Sequence, residues 1–307
     1  MGVPQGSILG PHLFNVYIGD MPALKNCQMS LYADDTACYT SSTSRNLIIN
    51  RLQEALLKLA EYFRQWKIKI NETKTEAIIF SKKRLTPPTR QLCLNNSRIK
   101  WSDRVKYLGL HLDNKLNWKF QVEECRRKGF MALSALAPIY RRKSKLSSKN
   151  KLIMYKTLIR PLITYGSPVW SSISDTQFRR IQVVQNKCLR IALNAHPRIS
   201  TMRLHQRSGR ISTVKEFCHR QTSLLYKRLK KEKADSLLGK LGNYNIKCLP
   251  YTYKHKLPKH IIRDDTSETV SHQNRSEKCN ALLSPGVPRV RFRIVEAKRV
   301  HRSARSS

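Results

Sequence analysis

Leu31-Tyr32-Ala33-Asp34-Asp35-Thr36 places two adjacent aspartates directly after an apolar run. Neighbouring side chains of an extended strand point to opposite faces, so two consecutive carboxylates converge on one point only where the chain turns. Aspartate favours such turns. Before the pair, Met29, Leu31 and Ala33 alternate with Ser30 and Tyr32, and after it Ala37 to Tyr39 resume an apolar segment. The pattern predicts a tight hairpin with two carboxylates at its tip. Carboxylates held together repel, and a divalent cation relieves the repulsion. Mg²⁺ suits them because it takes one or two protein carboxylates and leaves its other positions to water and phosphate oxygens. Taken alone, the dipeptide reads more simply as a solvated turn, so the rest of the chain has to decide.

The 307 residues are enough for a sizeable core and two domains, the second incomplete. With 59 Lys+Arg against 20 Asp+Glu the net charge is +39, and such a chain binds polyanions through counterion release almost regardless of fold. The charge is uneven: residues 1–120 hold 18 basic and 9 acidic side chains, whereas residues 121–307 hold 41 and 11. The strongest positive potential therefore lies downstream of the aspartates. Eight scattered cysteines, with no C-x-x-C and no histidine at zinc spacing, fit a reducing compartment. No apolar run reaches membrane-spanning length and Met1-Gly2-Val3-Pro4 lacks the regions of a signal peptide, so the expected location is nucleus or cytoplasm, with no membrane partner.

Gly2-Val3-Pro4-Gln5-Gly6-Ser7 is a stiff, small-residue loop in which Gly6 lets a backbone or ligand approach and Ser7 can cap a helix. From Leu9 the positions Leu13, Phe14, Tyr17 and Met21 recur at helical spacing until Pro22, and Pro11 confines the helix start to its own vicinity. The run from Gly2 to Pro11, followed about two dozen residues later by Tyr32-Ala33-Asp34-Asp35, closely resembles the reverse transcriptases of non-LTR (LINE-like) retrotransposons, the Jockey-type elements above all.

That resemblance implies RNA-directed DNA polymerisation by two-metal nucleotidyl transfer, with Asp34 and Asp35 as catalytic residues and as ligands of two Mg²⁺ (or Mn²⁺) ions. It implies further that Gln5, Gly6, Ser7, Tyr32 and Ala33 line the nucleotide and template pocket, and that RNA template, DNA primer and deoxynucleoside triphosphates are the partners. Family members take a third aspartate from a strand upstream of the Gly-Val-Pro-Gln-Gly loop. The sequence begins immediately before that loop, so the expectation is an N-terminally truncated fragment, inactive alone, that lacks the fingers and depends on an upstream segment of the same polyprotein. Asp20 is not expected to substitute for the third aspartate.

Farther along, Ile48, Leu52, Leu56, Leu59, Phe63 and Trp66 predict an amphipathic core helix. Strands are expected at Ile68 to Ile70 and Ala77 to Phe80, with Asn71 to Thr75 turning between them. In the family this is the next polymerase motif, which would place Lys74 near the triphosphate as a proton donor to pyrophosphate; a solvated turn lysine is the competing assignment. Lys82-Lys83-Arg84 is a weak candidate for backbone contact or nuclear import. Gln91 to Leu94 and Arg98 to Trp101 pair across Asn95-Asn96 as a hairpin. Val105 to Asp113 alternates as a strand and matches the family's primer-supporting segment, giving Tyr107, Leu108 and Gly109 that role.

Three helical stretches follow Trp118, marked by Phe130, Leu133 and Leu136, by Leu152, Tyr155, Leu158 and Ile159, and by Ile181, Val184, Cys188 and Ile191. Their basic groups Arg126-Arg127-Lys128 and Arg141-Arg142-Lys143 are candidates for contact with the nucleic-acid backbone. Thr213 to Lys233 adds a helix, and beyond Asn245 a Pro-, Ser- and Arg-rich composition predicts disorder. The fold class expected is α+β: a partial polymerase palm of antiparallel sheet with helices over residues 1–115, a helical thumb bundle over 116–240 and a disordered basic tail over 241–307. Two functions compete with the polymerase: a non-catalytic RNA- or DNA-binding remnant, and a metal-dependent nuclease, for which no further ligands stand out.

Overall fold

A computed structural model describes residues 6–81, 88, 90–141 and 144–231. The expectations for Gln5, Lys82 to Arg84, Arg142, Lys143 and the basic tail fall outside these residues. Two compact units divide between Leu116 and Asn117. Both helix and sheet are present, and among the described residues the sheet lies entirely in the first unit.

The first unit runs α1 (Leu9–Tyr17), β1 (Gln28–Tyr32), β2 (Asp35–Tyr39), α2 (Arg45–Gln65), a 3₁₀ turn (Glu72–Lys74), β3 (Glu76–Ala77), β4 (Leu92–Leu94), β5 (Ser97–Trp101), β6 (Arg104–Tyr107) and β7 (Leu110–Asp113). Its centre is α2, whose three- and four-residue apolar spacing buries Ile48, Leu52, Leu56, Leu59 and Phe63 on one side. Cys27, Cys38, Ile70, Ala77, Leu92, Leu94 and Ile99 complete the cluster around that stripe. Each large side chain removed from water there contributes about 1.5–3 kcal/mol.

The single antiparallel sheet expected from the sequence is instead three small sheets: β1-β2, β3-β5-β4 and β6-β7. In the middle one, β3 lies parallel to β5, with Glu76 opposite Lys100 and Ala77 opposite Trp101. Residues Ile68 to Ile70 form no strand. Lys67 takes a left-handed φ of 53° and the Ile68 N–H bonds back to the Phe63 carbonyl, which closes α2 and sends Ile70 into the core with no strand beside it. The expected single strand from Val105 to Asp113 is a hairpin, β6-β7, reversing at Leu108-Gly109 with φ of 45° and 78°. The glycine makes that two-residue reversal accessible, and the alternation of the segment was shared between two strands. Asn95-Asn96 forms the loop expected of it: both residues have positive φ and Leu94 pairs with Ser97.

The second unit is helical: α3 (Lys119–Ala135), α4 (Ala137–Tyr140), α5 (Ser148–Met154), a π-helical turn (Tyr155–Ile159) leading into α6 (Arg160–Thr164), then α7 (Ser167–Trp170), α8 (Asp175–Ala192), α9 (Thr201–Arg207) and α10 (Val214–Leu229). Ser147, Ser174, Ser200 and Thr213 each cap the helix that follows by accepting a backbone N–H three residues on. Thr213 and Glu216 complete a reciprocal capping box. The widened turn before α6 has a local cause: Pro161 has no N–H to give to the carbonyl four residues back and its ring crowds that carbonyl. The core is built from Val122 and Cys125 of α3, Tyr155, Ile159 and Ile163 of the α5-to-α6 segment, and Ile181, Val184 and Cys188 of α8, all buried. Among the described residues no helix is long and apolar enough to cross a membrane.

Candidate functional site

The hairpin β1-β2 forms because Ala33 and Asp34 make a two-residue loop between the last pair, Tyr32 and Asp35. Ala33 takes a φ of 49°, the left-handed backbone that such loops demand. Thr36, Ala37 and Cys38 are buried in succession, which pins β2 to the α2 core, whereas β1 is largely exposed. At the base of the hairpin Thr40 Oγ1 donates to the Asn26 carbonyl at 2.7 Å and Cys27 Sγ donates to the Arg51 carbonyl at 3.4 Å. Contact with Cys27 and burial keep Cys38 a neutral thiol. Asp34 and Asp35 thus project, half-buried, from a tip whose base is anchored. Tyr32, Ala33, Asp34 and Asp35 are brought together there by the turn alone.

Two adjacent carboxylates match the one or two protein carboxylates that Mg²⁺ takes, with water and phosphate oxygens completing its shell. Among the described residues no group of three or more His, Cys, Asp or Glu side chains could hold a metal ion. Asp20 is occupied elsewhere: the Tyr62 hydroxyl donates to its Oδ1 at 2.6 Å, and burial together with that carboxylate pushes the Tyr62 hydroxyl above its ordinary pKa. Tyr17 closes the same joint by stacking edge-on to Trp66 and donating to the Trp66 carbonyl.

Gly6 has a φ of 87° with open space where a Cβ would lie, and Ser7 Oγ accepts the Gly10 N–H at 3.1 Å, tying the loop to the start of α1. Apolar residues of α1 face outward: Leu9 is 65%, Leu13 51% and Val16 79% exposed. Lys74 is exposed on the 3₁₀ turn after α2, its N–H held by Asn71 Oδ1 at 3.2 Å. Tyr107, Leu108 and Gly109 occupy the tip of β6-β7.

In the second unit, Arg126, Arg127 and Lys128 lie on α3 within three and four residues of Glu123 and Glu124. Arg127 makes a two-pronged bond to Glu124 at 2.7 Å, Lys128 approaches the same carboxylate at 3.7 Å, and Arg126 lies 3.7 Å from Glu123. Arg180 of α8 also reaches Glu123, at 2.5 Å. All these pairs are exposed or half-exposed, so solvent screening leaves them worth little in stability. Arg141 is exposed at the end of α4, and its carbonyl accepts Lys151 Nζ at 2.8 Å from a lysine that is itself buried. Sequence reasoning did not assemble the cluster around Phe130, whose ring has Arg126 Cζ at 5.6 Å and Lys187 Nζ at 5.4 Å from its centroid. The Arg126-to-Phe130 spacing of four signals half of it; the α8 half is tertiary.

Residues 1–112 match the family profile of reverse transcriptase (RNA-dependent DNA polymerase). Over 238 residues, 75% of the chain, the sequence is 31% identical to the "Probable RNA-directed DNA polymerase from transposon BS" of Drosophila melanogaster, covering 26% of that protein. It is 30% identical to the "Probable RNA-directed DNA polymerase from transposon X-element" of the same organism, over 76% of the chain and 26% of the relative. The identity to the "RNA-directed DNA polymerase from mobile element jockey" is 30%, over 62% of the chain and 21% of the relative. The chain thus spans about a quarter of the length of these relatives. No solved structure matches it. An alignment across three quarters of the chain must run well beyond the first unit. Residues 1–112 thus carry the reverse transcriptase family's domain, and over about three quarters of its length the chain is similar to RNA-directed DNA polymerases of Drosophila transposons.

Proposed function

We propose that the chain carries the paired catalytic carboxylates and the helical nucleic-acid grip of an RNA-directed DNA polymerase that extends a DNA primer on an RNA template. The observation that carries this is the Tyr32-to-Asp35 hairpin tip, two consecutive aspartates at a two-residue turn within the stretch that matches the reverse transcriptase family. In this reading residues 1–115 are part of the palm, residues 116–240 are the thumb and residues 241–307 are a basic tail. Asp34 and Asp35 would hold Mg²⁺ or Mn²⁺, which when bound activates the primer hydroxyl and stabilises the triphosphate charge. The turn at Ala33 makes Asp34 and Asp35 neighbours at the hairpin tip, and the buried Thr36, Ala37 and Cys38 tie β2 to the core beneath it. Gly6 leaves open space where a Cβ would lie, and Gly6, Ser7, Tyr32 and Ala33 would line the nucleotide and template pocket. Lys74 would serve the departing pyrophosphate, and Tyr107 to Gly109 would support the primer end. The third carboxylate would come from an upstream segment of the same polyprotein, and the work would be done in nucleus or cytoplasm.

Primer extension on an RNA template with Mg²⁺ and deoxynucleoside triphosphates tests this, with the chain in the context of its upstream polyprotein segment. Asp34→Asn is expected to reduce incorporation more than a hundredfold, because it removes a metal ligand worth several kcal/mol in the transition state. Incorporation unchanged by Asp34→Asn would overturn the assignment. A second function, binding without catalysis, draws support from the lack of a third metal ligand among the described residues and from the charge concentrated after residue 120. It predicts salt-sensitive RNA binding by the chain, no incorporation in any context, and indifference to Asp34→Asn.

A further inference from the structure

The outward face of α3 has a composition that backbone contact alone does not require. Glu123, Arg126, Arg127, Phe130, Met131 and Ser134 line an open depression of about 540 Å³. That volume is within the range of small-ligand sites, ~300–1,000 Å³, and takes a nucleobase with its sugar. At its centre the half-exposed Phe130 ring and Met131, 57% exposed, form an apolar floor. Around that floor stand Arg126, Arg127 and, from α8, the exposed Lys187. The acids partly compensate: Glu124 is fully engaged by Arg127 and Lys128, and Glu123 is drawn most closely to Arg180. Arg126 and Lys187 are less engaged by carboxylates than Arg127. Arg126 meets the Glu123 carboxylate at 3.7 Å, its guanidinium lies over the Phe130 ring, and among the described residues its buried Nε meets no acceptor.

We propose that this face is a stacking seat for a base of single-stranded nucleic acid, with Phe130 beneath the base and Arg126 and Lys187 holding the flanking phosphates. The inference rests on the nucleic-acid reading of the second unit and names the form of ligand that unit takes. An aromatic floor between cations gives a strand both of the contacts it offers, a π-face and a phosphate, whatever its sequence. A duplex keeps its bases stacked inside and would leave Phe130 and Met131 without a counterpart. An anionic membrane would meet the same cations, but inserting Phe130 and Met131 would also bring the Glu123–Arg180 and Glu124–Arg127 pairs into the headgroup boundary, where their desolvation is costly. A wet nucleic-acid interface leaves those pairs hydrated.

Fluorescence anisotropy with the full chain tests this, using a labelled oligouridylate of about a dozen nucleotides, the same strand annealed to its complement, and phosphatidylserine-containing vesicles as competitor. Phe130→Leu keeps the apolar volume but removes the ring, and Phe130→Ala removes both; each is expected to weaken single-strand binding about tenfold and duplex binding less than about twofold. Phe130→Trp is expected to restore it. Lys187→Gln should weaken both ligands and lower the slope of log affinity against log salt by about one. Single-strand binding by Phe130→Leu equal to wild type would overturn the proposal, as would an equal loss on strand and duplex. Preferential, Phe130-dependent binding to the vesicles would replace it with a membrane contact. The assay is run in EDTA without nucleotides, so it is blind to catalysis at the hairpin: loss of the polymerase reading leaves its result standing, and the reverse holds.

Discussion

Replacing Gly129 with alanine sets helix propensity against packing, and the structure says which wins. Gly129 lies inside α3, where glycine costs about 1 kcal/mol relative to alanine, so an isolated helix would gain that much from the change. Here a Cβ at residue 129 would sit 2.6 Å from Ile163 Cγ2 and 2.8 Å from Val184 Cγ1. Carbon atoms prefer about 3.5–4.0 Å, so two contacts must each open by roughly 1 Å. Neither neighbour can step aside easily: Ile163 and Val184 are both fully buried, and β-branched side chains on helices have one strongly preferred rotamer. Overpacking of this kind costs about 1–3 kcal/mol, and with two clashes the upper end applies, leaving a net loss of about 2 kcal/mol after the propensity gain. Urea denaturation followed by circular dichroism would read this as a midpoint lowered by about 1 M at a slope near 2 kcal/mol/M. Val184→Ala removes one of the two clashing methyl groups, so the double variant should be more stable than the sum of the single effects by more than about 1 kcal/mol. A Gly129→Ala protein that is more stable than wild type, or a double variant that is strictly additive, would refute the close approach of α3 to α6 and α8.

Thr213→Ala should remove the side-chain half of the capping box on α10, leaving the backbone N–H of residue 213 to Glu216, and cost about 1 kcal/mol in the same unfolding assay, whereas Thr213→Ser should be nearly neutral; an unaffected midpoint in the alanine variant would contradict the cap. Of the six described cysteines, Cys93 is exposed and the other five are buried, so brief alkylation of the native protein at pH 8 followed by mass mapping should label Cys93 ahead of the rest. Burial pushes Cys125 up to about 11 and Cys188 and Cys218 up to about 12 from an ordinary 9.0. A folded-state pKa above the unfolded one means that the contribution of these thiols is fully present below about pH 9 and is lost as the pH rises toward 12; urea midpoints should therefore fall between those limits. Early labelling of Cys188, or a midpoint flat across that range, would contradict the burial of the helical core.

What could be read from the residues was local. The Asn95-Asn96 reversal, the buried stripe of α2 and the Thr213 start of α10 depend on groups within four residues of one another, so composition and spacing were sufficient; the hairpin around Asp34 was legible too, but its loop is Ala33-Asp34, one residue earlier than the aspartate pair, with Asp35 already in β2. The family followed from two such local stretches, the Gly2-to-Pro11 run and the Tyr-x-Asp-Asp hairpin, each of which is contiguous. Strand pairing was not legible in the same way. Ile68 to Ile70 has strand composition, but an extended segment becomes a strand only if another lies beside it, and here the reversal at Lys67 delivers Ile70 to the α2 core instead. Glu76 and Ala77 found their parallel partner some two dozen residues away in β5, and the alternation from Val105 to Asp113 concealed a turn at Leu108-Gly109. The same division runs through the basic surface. That Arg126, Arg127 and Lys128 would meet Glu123 and Glu124 is set by helical spacing of three and four, whereas the approach of Lys187 to Phe130 exists only because α8 packs on α3. Sequence by itself determined the turns, helices, caps and family of this protein, since these rest on short-range sterics and periodicity; the tertiary structure alone decided which strands pair, which glycine cannot change and where an aromatic ring lies among cations, since those depend on surfaces that meet only when distant segments are packed together.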